Sequence, residues 1–215
     1  MFFDNECLSY VYNSLHVVFV SGRYTIVPDS AFSEKDKELM FSYCYPLEDT
    51  TKVLVQPLKD LDSSLLFGVD NDVYEFLVRS LINPQFIHSV SPMLQAWLKD
   101  SQMLYAKQLH AVIHDNIMDI ICFERGEMLF LNSFNYDTDN DIAYYIIYVC
   151  KQLSFNQLED NLYLYSDVAG KKSLMPMLKT YIEHAEFVTP KIKSYRAAAD
   201  QEMYIDIATL TECGL

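Results

Sequence analysis

Apolar and polar positions along the chain fall into two alternating patterns. Short apolar runs such as "LHVVFV", "KVLVQPL" and "SLLFGV" are typical of buried strands. Longer segments such as "DNDVYEFLVRSLIN" and "SPMLQAWLKDSQ" repeat apolar residues every three or four positions, which predicts helices with one apolar face. Strands that alternate with helices predict mixed sheets covered by helices, and therefore the α/β fold class.

Short polar residues mark the expected helix starts, because their side chains can accept hydrogen bonds from the first turn. The expected N-caps are Ser33, Asp70 or Asp72, Ser91 with Pro92 at the first helical position, and Ser173. A short helix is expected to end at Asn13. Residues 172–186 are predicted as a helix, residues 187–192 as an extended segment, and residues 197–214 as a final helix.

The second half opens with three predicted strands between His110 and Phe134. Asp115 and Asn116 suit the first hairpin turn, and the segment Glu124–Glu127 suits the second. The helix that follows is apolar on nearly every side between residues 142 and 153. Such a helix must be covered on two sides, by its sheet and a second element or by a partner.

Composition and charge restrict the classes of function. With 30 acidic and 16 basic residues, the net charge is −14 and the pI is near 4.6, which argues against nucleic acid and anionic membrane surfaces as partners. The five cysteines are scattered and show no metal-binding spacing, as expected for reduced thiols. No signal peptide or membrane-spanning run is visible. We therefore expect a soluble cytoplasmic protein that does not insert into a membrane.

Local motifs for catalysis or for a metal are weak. The chain has no G-x-S-x-G, G-x-G-x-x-G or P-loop motif, and its five glycines leave little room for a phosphate cradle. "DTDND" imitates the start of a calcium loop, but Ile142 and Tyr148 replace the required Gly and acid. His110 and His114 share a strand face without a defined third ligand. No metal site is therefore expected, and only the turn before Ser173, with Gly170 and Lys171, could receive an anion.

Several segments together resemble the actin-like ATPases. The second half has the order of one lobe of that superfamily: a three-strand meander, a helix, a strand and a helix. "NLYLYSDVAGKKSLMPMLKTYI" is similar to its adenosine-binding segment, with Asp167, Ala169 and Gly170 in the turn and Met175-Pro176 in place of an Ile-Pro. The first half, through "HVVFVSGRYTIVPDSAF" and "LLFGVDNDVYEFLVRSLINPQFIHSVSPML", resembles the cytoplasmic actin-like adaptors of type IV pilus and type II secretion machines.

Nearly the whole chain resembles a bacterial family of uncharacterised proteins with an actin-like ATPase fold. "YTIVP", "FGVDNDVYEFL", "NPQFIHSVSPML" and "DIICFERGEMLFLNSF" are among the segments that carry this similarity. The resemblance implies a two-lobed actin-like (ribonuclease H-like) fold with mixed sheets flanked by helices. It places the lobes at residues 1–106 and 107–215, with the first lobe lacking its opening meander. Whether native residues precede Met1 stays open.

The candidate nucleotide site departs from the superfamily pattern. Active members carry Asp, glycines and Thr or Ser in the first turn of each lobe, where backbone N–H groups hold phosphates and the acids hold Mg²⁺ and water. Here Asp115 is followed by Asn116, Ile117 and Met118, which cannot provide a glycine-like backbone. We therefore expect a degenerate site and no bound cofactor. The residues that would form it are Asp115, Asn116, Asp119, Asp167, Ala169, Gly170 and Lys171.

The sequence thus favours an actin-like binding or scaffolding protein without catalytic residues. The pilus and secretion adaptors bind a short peptide from a membrane protein, which implies a protein or peptide partner, potentially one associated with a membrane. The matching surface consists of Tyr24, Ile26, Pro28, Tyr74 and Phe76. The alternative is an ATP-binding, Mg²⁺-dependent enzyme of the same superfamily, such as an ATPase or a kinase-like protein. A homo-oligomer is a third possibility, suggested by the many aromatic residues and the apolar helix.

Overall fold

The structure of the protein is a computed structural model that describes residues 10–166, 168, 170–192, 201–202 and 205–212. The chain divides into two units, Met1–Ser91 and Pro92–Leu215, called the first and the second unit below. Each unit has its own sheets and is described separately. The lobe boundary expected between residues 106 and 107 stays a prediction.

The first unit contains a three-stranded antiparallel sheet and a two-stranded parallel one. In the larger sheet, β4 (Ser63–Asp70) lies between β2 (Tyr24–Pro28) and β3 (Thr51–Leu58). In the smaller one, β1 (Leu15–Phe19) pairs in parallel with β5 (Pro84–His88). β4 is buried up to its last residue, as its continuous apolar run predicts.

Two helices follow these strands within the first unit, and a third begins there. A 3₁₀ turn at Glu34–Asp36 leads into α1 (Lys37–Ser42). α2 (Asn71–Ser80) starts where β4 ends, because the side chain of Asp70 accepts a hydrogen bond from Val73 N at 3.0 Å. α3 spans Val90–Ser101 and continues into the second unit.

Gly68 in β4 allows α1 to approach the sheet closely. A Cβ atom at this position would lie 2.8 Å from Cζ of Phe41, a fully buried α1 side chain. Phe41 forms a small core with Val53 and Leu66, on the two strands that pair beneath it. The contact requires glycine because any side chain would displace the phenyl ring.

The second unit is built on one five-stranded mixed sheet in the order β10-β9-β6-β7-β8. The strands are β6 (Gln108–Ile113), β7 (Ile117–Glu124), β8 (Glu127–Asn135), β9 (Asn161–Ser166) and β10 (His184–Phe187). β6, β7 and β8 form the predicted antiparallel meander, and β9 runs parallel to both β6 and β10. The predicted second turn is confirmed, with Arg125 and Gly126 both at positive φ.

α4 (Asp139–Gln152) packs the core of the second unit against the sheet. Its buried residues include Ile142, Ile146 and Val149, which pack with apolar side chains of β6, β7 and β9. Thr138 caps the helix in a capping box with Asp141, an arrangement that satisfies backbone N–H groups at the helix start. The helix is not covered all round, because Tyr144 and Tyr148 remain exposed.

The remaining elements of the second unit are short. A 3₁₀ turn at Lys171–Leu174 precedes the four-residue helix α5 (Met175–Leu178). Two-residue strands, β11 (Lys191–Ile192) and β12 (Gln201–Glu202), pair with each other, and α6 spans Ile205–Glu212.

Several predicted element boundaries were wrong. Ser33 occupies an N-cap position but its side chain makes no capping hydrogen bond. α3 begins at Val90, so Ser91 lies inside the helix, and its hydroxyl accepts a hydrogen bond from Gln56 at 2.8 Å instead. Ser173 lies within the 3₁₀ turn and donates to the Gly170 carbonyl at 2.8 Å.

The predicted helix over residues 172–186 was too long, because its last part forms β10 and pairs with β9. The helix expected to end at Asn13 is not seen over residues 10–13, and the earlier part of that prediction lies outside the described residues. In the described part of the chain, no helix combines the length and the apolar character needed to cross a bilayer.

Candidate functional site

The hairpin turn between β6 and β7 holds the first group of predicted site residues. His114 N donates to Ile117 O at 2.9 Å, which closes the turn and leaves Asp115 and Asn116 exposed at its tip. Neither of these two residues has a positive φ. The turn therefore lacks the alternation of right- and left-handed residues by which successive N–H groups form an anion-binding nest.

Tyr136 lies behind this turn and binds its backbone. The hydroxyl shares its single proton between the carbonyl oxygens of His114 and Asp115, the second at 2.9 Å. Tyr136 N donates to Asn116 O at 3.3 Å. Tyr136 is buried because it directly follows β8, the neighbour of β7. The turn thus presents carbonyl acceptors to a tyrosine, where a phosphate loop presents N–H donors.

Lys171 belongs to the second group of predicted site residues, and its side chain lies beside Tyr136, which binds the β6–β7 turn. Its Nζ lies 2.6 Å from Oδ1 of Asp139 and 4.9 Å from the centre of the Tyr136 ring. The side chain of Lys171 is only 12% exposed. Gly170, at φ +86°, makes the left-handed bend between β9 and the 3₁₀ turn. The lysine is therefore already paired with a carboxylate.

Asp119 is a fully buried carboxylate on β7, paired in register with Val112. Its Oδ2 lies 3.5 Å from Nε2 of His114, which is itself buried. At this distance the carboxylate can orient the imidazole ring electrostatically. This pair lies at the base of the hairpin that carries Asp115 and Asn116.

The structure brings together most of the residues predicted for a nucleotide site. Asp115, Asn116 and Asp119 lie on one hairpin. Lys171 contacts Asp139 and Tyr136, and Tyr136 binds the hairpin turn, while Gly170 directly precedes Lys171 in the chain. Asp167 and Ala169 lie outside the described residues. Sequence reasoning missed Tyr136 as part of this cluster. It considered His114 only as a metal ligand, and it interpreted Asp139 as a helix-start acid in preference to a calcium ligand. No sequence signal identified Tyr136, because its role depends on the pairing of β7 with β8.

His110, two strand positions from the Val112–Asp119 pair, lies in an aromatic stack. The Trp97 ring is 4.0 Å away at an interplanar angle of 10°, and Tyr163 lies 5.1 Å away. Its Nδ1 is 3.2 Å from the Tyr165 hydroxyl. Burial lowers the pKa of His110 to about 3, so that the ring is neutral at physiological pH. Across the described residues, no group of three or more metal-ligating side chains is placed to hold a metal ion.

The residues predicted to bind a partner differ in exposure. Tyr24 is only 5% exposed and its ring packs 4.7 Å from His88, so that it offers little surface. Tyr74 is half-buried against Phe86 at 4.8 Å, whereas Phe76 is 43% exposed. Ile26 is half-buried, and Pro28 is exposed at the end of β2 that pairs with Ser63. β2 forms one edge of its sheet.

α2 shows an apolar face that the first unit covers only in part. None of its residues is fully buried, and Val73 and Phe76, on one face, are 46% and 43% exposed. The face predicted to pack on the core therefore remains partly accessible. An exposed apolar face on an amphipathic helix is typical of interaction surfaces.

These features define an actin-like protein: a mixed sheet opened by a meander, with α4 packed on it, and a cluster of acids at the first turn. The chain belongs to the family described as "Protein of unknown function (DUF3822)", which it matches over residues 1–185. Both the expected fold and the expected family are thereby confirmed.

Solved structures agree with this assignment. The chain is similar to a Bacteroides thetaiotaomicron VPI-5482 protein with an actin-like ATPase fold and unknown function, at 31% identity and a TM-score of 0.87. This match covers 99% of the present chain and 78% of the other. The PilM-PilN type IV pilus biogenesis complex matches at 11% identity and a TM-score of 0.54, covering 83% of this chain and 70% of that one, and shows the fold alone. Among curated proteins, none matches the chain.

Proposed function

We propose that this protein is a cytoplasmic, non-catalytic binding or scaffolding protein that retains the actin-like fold with a degenerate nucleotide site. The observation that carries this proposal is the bonding of the β6–β7 turn. The carbonyl oxygens of His114 and Asp115 accept from the buried Tyr136 hydroxyl. A phosphate is an acceptor and needs N–H donors in this place. Rotating the turn to provide them would remove both carbonyl acceptors from the Tyr136 hydroxyl.

The electrostatics of the cluster also disfavour a nucleotide. The hairpin whose turn binds Tyr136 carries two acids, Asp115 and Asp119. Lys171 already pairs with a further acid, Asp139, at 2.6 Å. A polyphosphate would have to displace that carboxylate, and without a divalent cation it would face an excess of negative charge. Closing the site in this way leaves the fold intact, because none of these polar contacts replaces the apolar core under α4.

Thermal unfolding with and without Mg-ATP or Mg-ADP tests this part of the proposal. A ligand present at 100 times its Kd stabilises the folded state by about 2.7 kcal/mol. We expect no stabilisation of that order with either nucleotide. Stabilisation of the native protein that disappears in Asp115→Ala would overturn the proposal and favour the alternative below.

The alternative is an ATP-binding enzyme of the same superfamily that uses Mg²⁺. The buried Asp119 favours it, since a fully buried carboxylate beside His114 is an arrangement that functional sites often use. Asp119 would then act as the acid linked to the metal, and the Gly170–Lys171 turn would contact the base and ribose. Asp119→Asn should abolish nucleotide binding under this alternative and leave the protein indifferent to nucleotide under our proposal.

We propose that the partner is a protein or peptide that binds the exposed face of α2 in the first unit, alongside the β2 edge with Ile26 and Pro28. The similarity to the PilM-PilN complex supports a protein partner. The net charge of −14 and the α2 acid Asp72 favour a peptide that carries basic residues beside its apolar ones. Such a peptide could belong to a membrane-associated protein.

Site-specific capture tests this surface. A photo-crosslinking residue at Val73 should capture a partner, and the same residue at Leu158, an apolar and more exposed position in the second unit, should not. A synthetic peptide from the captured protein should then bind the purified native protein and lose affinity for Val73→Asp. Equal capture at both positions, or a peptide that binds Val73→Asp unchanged, would contradict the proposed surface.

Self-association remains the other candidate for an exposed apolar surface. Tyr144 and Tyr148 are 62% and 47% exposed on α4, and their rings stack at 6.0 Å. Sedimentation velocity of the native protein, compared with a Tyr144→Ser, Tyr148→Ser double variant, distinguishes a homo-oligomer from a monomer.

A further inference from the structure

A cavity of about 320 Å³ lies in the second unit, at the carboxyl end of α4. Its floor is apolar and consists of Ile147, Cys150, Phe155 and Ile182. Cys150 and Ile182 are buried, while Ile147 and Phe155 are partly exposed to the opening. The volume lies at the lower end of the range for small-molecule pockets, about 300–1,000 Å³. It suits one aromatic ring with a short chain.

The rim of the cavity is polar and carries one positive charge. Lys151, Ser154, Gln157 and Tyr181 border the opening, and all four are exposed. Among the described residues, the side chain of Lys151 forms neither an ion pair nor a hydrogen bond. No acid lines the cavity. The nearest acids along the chain are Glu159 and Glu183, both exposed and both outside the lining. Asp160 accepts hydrogen bonds from the backbone N–H groups of Asn156 and Lys107 at 2.7 and 2.8 Å.

The loop that forms the rim is held in place by the end of α4. Phe155 N donates to Cys150 O at 2.9 Å and Ser154 N to Lys151 O at 3.2 Å, the paired hydrogen bonds of a Schellman motif. The carbonyl of Ser154 also accepts from Nζ of Lys107 at 3.0 Å. Farther along, Glu183 N donates to Gln157 O at 2.9 Å, which joins the loop to the segment before β10. The cavity is therefore preformed.

Ser154 occupies the left-handed position of this motif, at φ +51°, where glycine is the usual residue. A serine there is strained relative to glycine, and its hydroxyl makes no hydrogen bond within the described residues. Its position at the rim places that hydroxyl beside the cavity opening.

The thiol of Cys150 contributes to the floor as an apolar group. Burial raises its pKa to about 12, with a smaller contribution from the charge of Asp160. The thiol is therefore protonated at neutral pH and is not a nucleophile. The cavity can hold a ligand but has no group that would react with it.

We propose that this cavity binds a small amphipathic carboxylate. The apolar body of the ligand packs on Ile147, Phe155 and Ile182, and its carboxylate pairs with Lys151 and accepts hydrogen bonds from Ser154 and Gln157. A lone cation beside an apolar floor recognises this chemistry because the ion pair forms at the edge of a low-dielectric surface. The residues that line this site belong neither to the proposed peptide surface of the first unit nor to the Tyr136 cluster.

The test uses 4-phenylbutyrate as the probe and its neutral amide, 4-phenylbutyramide, as the control ligand, with backbone amide shifts recorded by NMR on the full chain. Phenylbutyrate should shift the amides of residues 150–157 and 181–182 in a saturable way. Phenylbutyramide should bind at least about fivefold more weakly, since it cannot pair with Lys151. Absence of shifts at these residues up to about 10 mM, or equal binding of both ligands, would overturn the proposal.

Two matched lysine variants test whether Lys151 provides the positive charge that binds the carboxylate of the ligand. Lys151→Met should weaken phenylbutyrate at least about fivefold, whereas Lys99→Met, in the last turn of α3, should stay within about twofold of the native protein. Equal effects of the two variants would show a general charge effect and contradict the site. Ser154→Gly provides a further variant that relieves backbone strain, so that any loss of binding cannot be due to misfolding.

Discussion

At the scale of single residues, His110 illustrates how packing changes the chemistry of a side chain. The sequence allowed it a role as a metal ligand with His114. In the structure, its ring is stacked between Trp97 and Tyr163, and burial lowers its pKa to about 3. The pKa of an unfolded histidine is near 6.5. The unfolded chain therefore binds a proton at His110 that the folded chain does not bind between these two values.

We predict that His110 makes the protein sensitive to acid. The pKa is lower in the folded state, so stability is fully present above pH 6.5 and falls as the pH drops from there toward 3. Within that window, protonation of His110 should lower the free energy of unfolding by about 1.4 kcal/mol for each unit that the pH falls. Urea unfolding at pH 7 and pH 5 measures the slope.

The variant His110→Phe keeps an aromatic ring in the stack and removes the titrating group. Between pH 7 and pH 5, the free energy of unfolding of this variant should fall by about 2 kcal/mol less than that of the native protein. His184→Gln, at an exposed position on β10, is the control and should keep the native slope. The same slope in His110→Phe and the native protein would contradict the assignment.

At the scale of elements, the helix starts show which local signals are reliable. Asp70 caps α2 as predicted. Thr138 was not predicted as a cap, although it forms a capping box with Asp141: Thr138 N donates to Asp141 Oδ2 at 2.8 Å. Ser33 carries the same sequence signal but makes no side-chain bond. Residues able to act as an N-cap are thus easy to identify from the sequence. Whether one of them caps its helix depends on the direction in which the chain enters that helix.

We predict that Thr138→Ala destabilises the protein by about 1 kcal/mol, because α4 loses its cap. Ser33→Ala should have little effect, since the Ser33 side chain makes no capping bond. Chemical denaturation of both variants at neutral pH measures the difference. An equal loss in the two variants would show that the capping box contributes nothing specific.

The pH dependence of the Thr138 effect has a definite sign. Hydrogen bonds from the Thr138 side chain and from the backbone of Thr138 and Asp137 lower the pKa of Asp141. The stabilisation by this box is therefore present above the ordinary pKa of an aspartate and is lost as the pH falls through the lowered value. The difference between Thr138→Ala and the native protein should accordingly shrink at strongly acidic pH.

At the scale of the whole molecule, the dominant feature is the excess of acidic side chains. With 30 acids against 16 basic residues, the folded chain carries a net charge of −14. Compact packing brings these charges closer together than in the unfolded chain, and their mutual repulsion opposes folding. Within the described part of the chain, ion pairs such as Lys171–Asp139 offset this repulsion locally.

We predict that added NaCl stabilises the protein. Raising the salt from about 20 mM to about 300 mM shortens the Debye length to below 10 Å and screens the repulsion between surface acids. The Tm should rise by a few degrees, as calorimetry or a dye-based melt would show. A Tm that falls over this range would mean that attractive ion pairs outweigh the repulsion.

Much of the fold could be predicted because local and family signals agree. The apolar runs of β3, β4 and β9 are confirmed as strands, and Arg125-Gly126 forms the expected tight turn. The end of the predicted helix over residues 172–186 could not be predicted. Its apolar spacing suits a short helix, but hydrogen bonding to β9 draws its last residues into the sheet as β10. Nonlocal pairing overrides a local preference of this kind.

Residue type and spacing, which act locally, were enough to predict the α/β class and the shortage of glycine at the turns that would hold phosphate. The actin-like fold was implied by the resemblance to a known family. The surroundings of the Asp115–Asn116 turn, in contrast, depend on the tertiary structure. Tyr136, Asp139 and Lys171 are far from it in sequence and reach it because β7 pairs with β8 and β6 with β9. Likewise, the carboxylate cavity at the end of α4 exists only because the segment before β10 folds back against it.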